Sequence, residues 1–193
     1  MEIVEAFIAY LSKFGTLTEV EKKAIKEDID IRTIPKGVYL LKEGQVAHYN
    51  YCVLDGCVRQ YYLHEGQEKT SHFFTTYDWI LPSIGLSDDR VVPYYLTCTE
   101  ASTLVFGNEQ RGQVLMQQFP KIQDLSLLIL EKEIVRQQKQ LAKYINSTPE
   151  QRYQELMEHR PELIERVPQY QLASYIGVKP ESLSRIRKRL SVK

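Results

Sequence analysis

PQYQLASYIGVKPESLSRIRKRL, residues Pro168–Leu190, is the most informative stretch of this 193-residue chain. Gln169–Tyr175 reads as a short helix with Leu172, Ala173 and Ile176 facing inward. Gly177 suits the positive φ that closes a helix before a tight turn. Pro180 opens a second helix, where its missing N–H costs nothing. Leu183, Ile186 and Leu190 recur at three and four residues and form a buried stripe, while Glu181, Ser182, Ser184, Arg185, Lys188 and Arg189 face the other way. Two helices joined by a glycine turn form a helix-turn-helix, whose second helix lies in a DNA major groove with its N-terminal residues at the base edges.

The charge distribution bears on that reading. The chain carries 25 basic and 25 acidic residues, a formal net charge of zero, which by itself argues against a nucleic-acid partner. The zero is uneven. Residues 1–145 hold sixteen basic and nineteen acidic side chains, residues 146–193 hold nine and six, and residues 179–193 hold six and one. A solvated charged helix would account for the charge alone, but the apolar frame of Ala173, Gly177, Leu183 and Ile186 favours a DNA-reading helix.

N-terminal to this segment, Pro149 with Ser147 and Glu150 predicts a capped helix over about 149–159, and Pro161 allows a further turn over Glu162–Arg166. Lys121–Ile145 has no Gly or Pro and predicts a helix about 37 Å long. It either packs on its own sheet or forms a dimer seam; Ile122, Leu125 and Ile129 are the candidate seam residues, with no clean heptad beyond Glu131. Asn108–Phe119 reads as a shorter helix before it.

Between about 29 and 107 the texture changes to short β-prone runs separated by Pro35-Lys36-Gly37, Glu43-Gly44, Asp55-Gly56 and Glu65-Gly66. The runs are Val38–Leu41, Asn50–Leu54, Cys57–Leu63, Lys69–Thr75, Tyr94–Thr99 and Ser102–Phe106. This spacing predicts a sandwich or barrel. Many of the thirteen tyrosines fall here, as strand-forming, half-buried rings rather than an aromatic ligand box. Residues 2–14 have helical apolar spacing, and Thr18 with Glu21 makes a capping box for a second helix. The fold class is therefore α+β, divided as 1–120, 121–146 and 147–193. Hydrophobic residues at 43% and charged residues at 26% are globular values and exclude a disordered chain. No run is long enough to span a membrane, and Met1–Tyr10 has no basic n-region, so a cytoplasmic protein is expected. Cys52, Cys57 and Cys98 have neither disulfide nor zinc-site spacing, Cys52 and Cys57 are expected on opposite faces, and His48, His64, His72 and His159 show no metal-binding pattern.

On these features, above all LASYIGVKPESLSRIRKRL after a β-rich half and a long helix, the chain resembles the Crp/Fnr transcription regulators over nearly its whole length. The resemblance implies an antiparallel β-roll like that of cyclic-nucleotide-binding domains (a jelly roll), a long dimerisation helix and a C-terminal winged helix-turn-helix. The short run after Leu190 leaves a wing minimal or made elsewhere. It implies a homodimer on a two-fold symmetric site of double-stranded DNA, with RNA polymerase and an unidentified small-molecule effector as further candidate partners, and no cofactor. Glu181 and Arg185 match the family's base-reading pair; Arg can bond guanine bidentately and Glu can accept from cytosine. Gln169, Lys179, Ser182, Ser184, Arg187, Lys188 and Arg189 are the candidates for phosphate contact.

The family's nucleotide binders carry a phosphate cassette of Gly-Glu-Leu and then Arg-Ser/Thr-Ala. The matching stretch here is Asp78–Leu86, where Pro82 stands in place of the Glu and Val92-Pro93-Tyr94 in place of the Arg-Ser-Ala run, with Arg90 two residues upstream. A buried phosphate without its cation is uncompensated, so no response to cyclic AMP or cyclic GMP is expected. No cysteine precedes Cys52, against an iron–sulfur sensor, and no histidine stands out as a haem ligand. Trp79, Pro82, Arg90, Tyr94 and Tyr95 are the candidate pocket residues, for a ligand of another kind or for none. Two alternatives remain open: a small-ligand sensor whose C-terminal segment serves a protein partner, and a cupin-type enzyme. His64-Glu65 and His72 do not fit cupin metal ligation, so no enzyme is expected.

Overall fold

A computed structural model describes residues 2–82 and 91–191. The cassette positions Ser83–Leu86, and with them Arg90, lie outside the described residues. Two short helices, α1 (Glu2–Leu11) and α2 (Glu19–Asp28), precede eight strands. The strands are β1 (Ile31–Ile34), β2 (Tyr39–Leu41), β3 (Tyr49–Asp55), β4 (Val58–His64), β5 (Gln67–Phe74), β6 (Trp79–Ile80), β7 (Tyr95–Cys98) and β8 (Ser102–Asn108). They pair antiparallel in two sheets, β1-β8-β3-β6 and β2-β7-β4-β5, the strand order of a jelly roll. The six expected runs are present within a residue or two at each end; β1 and the two-residue β6 are the additions.

Alternation sorts the side chains. Tyr51, Val53, Ile80, Leu104 and Phe106 of the first sheet meet Leu41, Val58, Phe74, Leu96 and Cys98 of the second inside the roll. Cys52, Leu54 and Val105 leave the first sheet on its outer side, under α1, α2 and the long helix. Cys57 and Phe73 leave the second sheet on the opposite side and enter the core of the C-terminal helices. The cysteines thus occupy three separate apolar clusters and are unpaired, and Cys52 and Cys57 do face opposite ways. Gly56, between β3 and β4, has φ +94°, and a Cβ there would stand 2.4 Å from Ser102 Oγ. Only glycine fits this crossing of the two sheets.

The Thr18 capping box forms as expected, with Glu21 N bonded to Thr18 Oγ1 and the Glu21 carboxylate accepting from Thr18 N at 2.7 Å. After β8 come α3 (Glu109–Gln118) and the long helix α4 (Pro120–Asn146), then α5 (Pro149–His159), α6 (Pro161–Arg166), α7 (Gln169–Ile176) and α8 (Pro180–Ser191). The second capping box falls one residue later than the sequence suggests. Thr148 and Gln151 make it, while Ser147 Oγ donates back to the Lys143 carbonyl at 2.6 Å. Ser147 already closes α4, so the next residue is left to start α5.

The long helix requires a larger correction. Ile122, Leu125 and Ile129 point into the protomer's own core against Phe7, Leu11 and Ile25, and are not outward seam residues. Glu133 and Arg136 continue that inward stripe. A different stripe faces out: Leu127, Leu130, Ile134, Leu141 and Tyr144 are all at least two-fifths exposed. With Gln137 between Ile134 and Leu141 they run at alternating spacings of three and four, a heptad spacing over the last two-thirds of the helix.

Candidate nucleic-acid interface

The C-terminal helical unit is built on an apolar wedge. Leu172, Ala173 and Ile176 of α7 and Leu183 and Ile186 of α8 pack with Tyr153, Leu156, Leu163 and Val167. Gly177 ends α7 with φ +78° and ψ 34°, and the Gly177 and Val178 N–H groups return to the last carbonyls of the helix. The positive φ demands the glycine, and a Cβ there would lie 2.6 Å from the Tyr144 hydroxyl, the tip of a half-exposed side chain that would have to shift. Pro180 then begins α8, as expected.

With the stripe buried, Glu181, Ser184, Arg185, Lys188 and Arg189 are exposed on one side of α8, and Ser182 and Arg187 are half-buried. Gln169 is exposed at the first position of α7, and Lys179 is exposed beside the turn. Glu181 and Arg185 are one helical turn apart; Arg185 Nη2 donates to Ser182 Oγ at 3.1 Å. Arg189 is engaged differently: its guanidinium pairs with Glu150 of α5 at 2.8 Å. A phosphate contact by Arg189 would have to displace that carboxylate.

The unit is seated on the outer face of the second sheet. Ser174 Oγ donates to the Glu68 carbonyl at 2.8 Å and accepts from Thr70 N at 2.9 Å. Arg160 donates to the Phe73 carbonyl and to Thr75 Oγ1, at 3.1 and 2.9 Å, and lies 3.7 Å from Asp78. Arg136 of α4 approaches the same carboxyl group at 3.7 Å, so Asp78 joins the roll, the long helix and the C-terminal helical unit. Arg166 pairs with Glu100, which holds its guanidinium above the usual arginine range. Arg152 donates to the Ile176 carbonyl at the end of α7, and to the Tyr144 and Ser147 carbonyls at the end of α4. One guanidinium therefore caps the C-terminal ends of two helices.

The expected pocket residues do not converge. Trp79 points to the outer side of the first sheet, where its Nε1 donates to the Tyr10 hydroxyl at 3.1 Å. Tyr94 is buried inside the roll. Tyr95, one residue on, turns to the outer side of the second sheet and stacks on Tyr61 with ring centroids 5.0 Å apart. Pro82 is buried, at the end of the described segment. Three candidates on three faces cannot line one site. The tyrosines pack largely on one another, as the strand reading held. Burial pushes all three thiols up, Cys98 to about 11, so none is a thiolate at neutral pH.

Arg152, Arg160, Tyr144 and the outward heptad were not singled out from the sequence. The 3-4 spacing from Leu127 to Tyr144 is interrupted in the sequence by the polar Gln137 and overlaps the inward stripe, and Arg152 and Arg160 act on partners that only the fold brings near. Among the described residues no helix is long and apolar enough to cross a membrane.

No family model matches the sequence, and no curated protein matches it. Solved structures do. The chain is similar to FixK2 from Bradyrhizobium japonicum, with a TM-score of 0.69 and 16% identity over 85% of each chain. It is similar to CLP, the c-di-GMP responsive global regulator of Xanthomonas campestris, with a TM-score of 0.67 and 17% identity over 91% of this chain and 92% of that one. A third likeness is to the catabolite activator protein of Thermus thermophilus, with a TM-score of 0.54 and 19% identity over 92% and 85% of the two chains. These neighbours are Crp/Fnr regulators, and the chain has their fold: a β-roll, a long helix and a C-terminal helix-turn-helix.

Proposed function

We propose that this chain is a DNA-binding transcription regulator that acts as a homodimer on a two-fold symmetric site and does not respond to cyclic AMP. The observation that carries the reading is α8: an apolar stripe locked into the unit and an opposite face presenting Glu181, Ser184, Arg185 and Lys188 to solvent. Arg185 and Glu181 read base edges, Gln169, Lys179, Ser182, Ser184, Arg187 and Lys188 hold phosphates, and Arg189 joins them by exchanging Glu150 for a phosphate oxygen. The division at 120 and 146 separates a sensor, a dimer helix and a reading unit. Nothing in this reading calls for catalysis.

The dimer forms along Leu127, Leu130, Ile134, Leu141 and Tyr144, whose exposure on one helix face supports a seam. Gln137 at a seam position sets the register at some cost in stability. Two reading helices then enter major grooves about 34 Å apart. Ile134→Glu should convert the dimer to a monomer in sedimentation velocity while leaving helix content intact. An unchanged dimer would move the interface elsewhere.

DNA fragments selected from a genomic pool should share a two-fold symmetric site. Arg185→Ala should weaken that site by about 1–3 kcal/mol and relax one base preference, whereas Lys188→Ala should weaken all sequences alike and reduce the salt slope by about one. If the selected site binds Arg185→Ala as tightly as the parent, the assigned reading face is wrong. Calorimetric titration should give no heat with cyclic AMP; micromolar binding would overturn that part.

A further inference from the structure

A cleft of about 440 Å³ opens between β5, the C-terminal half of α4, α5 and α7. Thr70 and His72 come from the roll, Leu141 and Tyr144 from the long helix, Leu156 from α5 and Tyr175 from α7. The volume is in the range of small-molecule sites; the exposed wall is mostly carbon, from Leu141, Leu156 and the rings of Tyr62, Tyr144 and Tyr175 and from the stems of the polar side chains between them.

The charged lining is one-sided. Lys69, Lys143, Arg152 and Arg160 are cationic, and Glu155 is the acidic residue among the lining side chains. Lys143 is paired with Glu155, and Arg160 shares Asp78 and Glu162. Lys69 and Arg152 meet no carboxylate within ion-pair distance among the described residues. The Lys69 ammonium donates to the Gln67 side-chain amide oxygen at 2.9 Å, and the Arg152 hydrogen bonds go to main-chain carbonyls. An apolar cleft with an excess of positive charge favours a small molecule with a hydrophobic body and a negative end.

We propose that this cleft is an effector site for a small aromatic carboxylate, its ring against Leu141, Tyr144 and Tyr175 and its carboxylate toward Lys69 and Arg152. The effector role rests on the reading of the chain as a DNA-binding regulator. The roll interior, the place expected of a sensor, holds Tyr51, Phe74, Tyr94 and Phe106. The cleft instead touches all three parts of the molecule. The Tyr144 hydroxyl sits where a Gly177 side chain would be, and Arg152 holds the last carbonyl of α7. A ligand resting on these two side chains bears directly on the turn that orients α8. Leu141 and Tyr144 also belong to the outward heptad, so dimerisation and occupancy share residues.

The test uses 2-naphthoate and its uncharged isostere 2-naphthamide, titrated calorimetrically into the full chain. The carboxylate should bind saturably, and the amide at least about tenfold more weakly. Lys69→Glu, at an exposed position, should weaken the carboxylate about tenfold and leave the amide unchanged. Ser71→Trp, which fills the cleft from β5, should remove binding of both; thermal unfolding of each variant checks that it folds. Equal affinity for amide and carboxylate, no response to either substitution, or no binding in the millimolar range would each overturn the site. Saturating 2-naphthoate should also change affinity for the selected DNA site. If it binds as described and DNA affinity stays the same, the effector role fails while the regulator reading stands. If the chain binds no DNA, the regulator reading and the effector role fail together, and the titrations alone decide whether the anion site exists.

Discussion

Cys52 and Cys57 stand five residues apart and leave the roll on opposite sides, and what each meets differs in kind. On the Cys52 side, Phe7, Leu11, Leu17, Ile25, Ile122, Leu125 and Ile129 close over the first sheet, and the polar contacts are few: Trp79 to the Tyr10 hydroxyl, that hydroxyl to the Tyr77 carbonyl, and Glu133 with Arg136 at the margin. On the Cys57 side, Phe73 and the apolar centre of the C-terminal helical unit also meet, but polar bonds surround the junction: Arg160 to Phe73, Thr75 and Asp78, Arg166 to Glu100, and Ser174 to Glu68 and Thr70. An apolar cover costs several kcal/mol to lift and stays closed. A junction held largely by exchangeable polar bonds resembles a transient interface, because water can replace each bond at small net cost. The contrast separates a mainly apolar cover from a seat, the junction where polar bonds ring the buried Phe73 and Cys57.

Substitutions on the two sides should therefore fail differently. Leu125→Ala, on the closed side, should cost about 2–5 kcal/mol and lower the thermal midpoint of the whole chain in one transition. Arg160→Ala, on the seat, should cost less, about 1–3 kcal/mol, because a few hydrogen bonds are lost and Asp78 keeps Arg136 nearby. Its signature is local: faster amide exchange in α6 and α7 with the roll unchanged. If Arg160→Ala lowers protection evenly throughout, the two sides are equally permanent and the contrast is wrong. Gly177→Ala should cost about 1–2 kcal/mol for the left-handed backbone alone. A further cost comes from the Tyr144 hydroxyl, and Tyr144→Phe in the same chain should recover that second part. Chemical denaturation of the single and double variants measures the recovery; none would mean that Tyr144 moves aside freely.

The sequence is most legible where one residue's neighbours decide its fate. Tyr51 and Val53 against Cys52 and Leu54 already show a strand with two buried sides, and Ala173, Gly177, Leu183 and Ile186 already show the bend between α7 and α8. It is least legible where two answers share one pattern. The long helix carries two apolar stripes, one through Ile122, Leu125 and Ile129 and one through Leu127, Leu130 and Ile134. Periodicity cannot say which of them α1 and the first sheet will cover. Trp79, Tyr94 and Tyr95 failed as a common pocket for a related reason: adjacent strand residues alternate sides, and Trp79 belongs to the other sheet. Asp78, Arg136 and Arg160 meet from three separate elements, and no local spacing announces that meeting.

The smallest effect, and the most selective for the seat, is a pH dependence. His72 lies on β5 beside the junction, stacked on Phe74, with Nε2 3.0 Å from the Gln140 amide oxygen of α4. Burial, and then the charge of Arg136, push the imidazole below its ordinary value of 6.5; the Gln140 bond and Asp78 oppose this, and Arg160 adds to it. The folded chain therefore prefers the neutral ring, and the unfolded chain takes up the proton first as pH falls. The contribution is fully present above about 6.5 and is lost as pH drops through the lower folded value. His72→Gln keeps a donor for Gln140 and removes the titration. The parent should lose more stability than His72→Gln between pH 7 and pH 5, and amide exchange should place that loss in β5 and α7 before α1. Parallel pH profiles for the two chains would show that the seat does not feel this proton. A loss that begins in α1 would place the weak side of the molecule under the apolar cover instead.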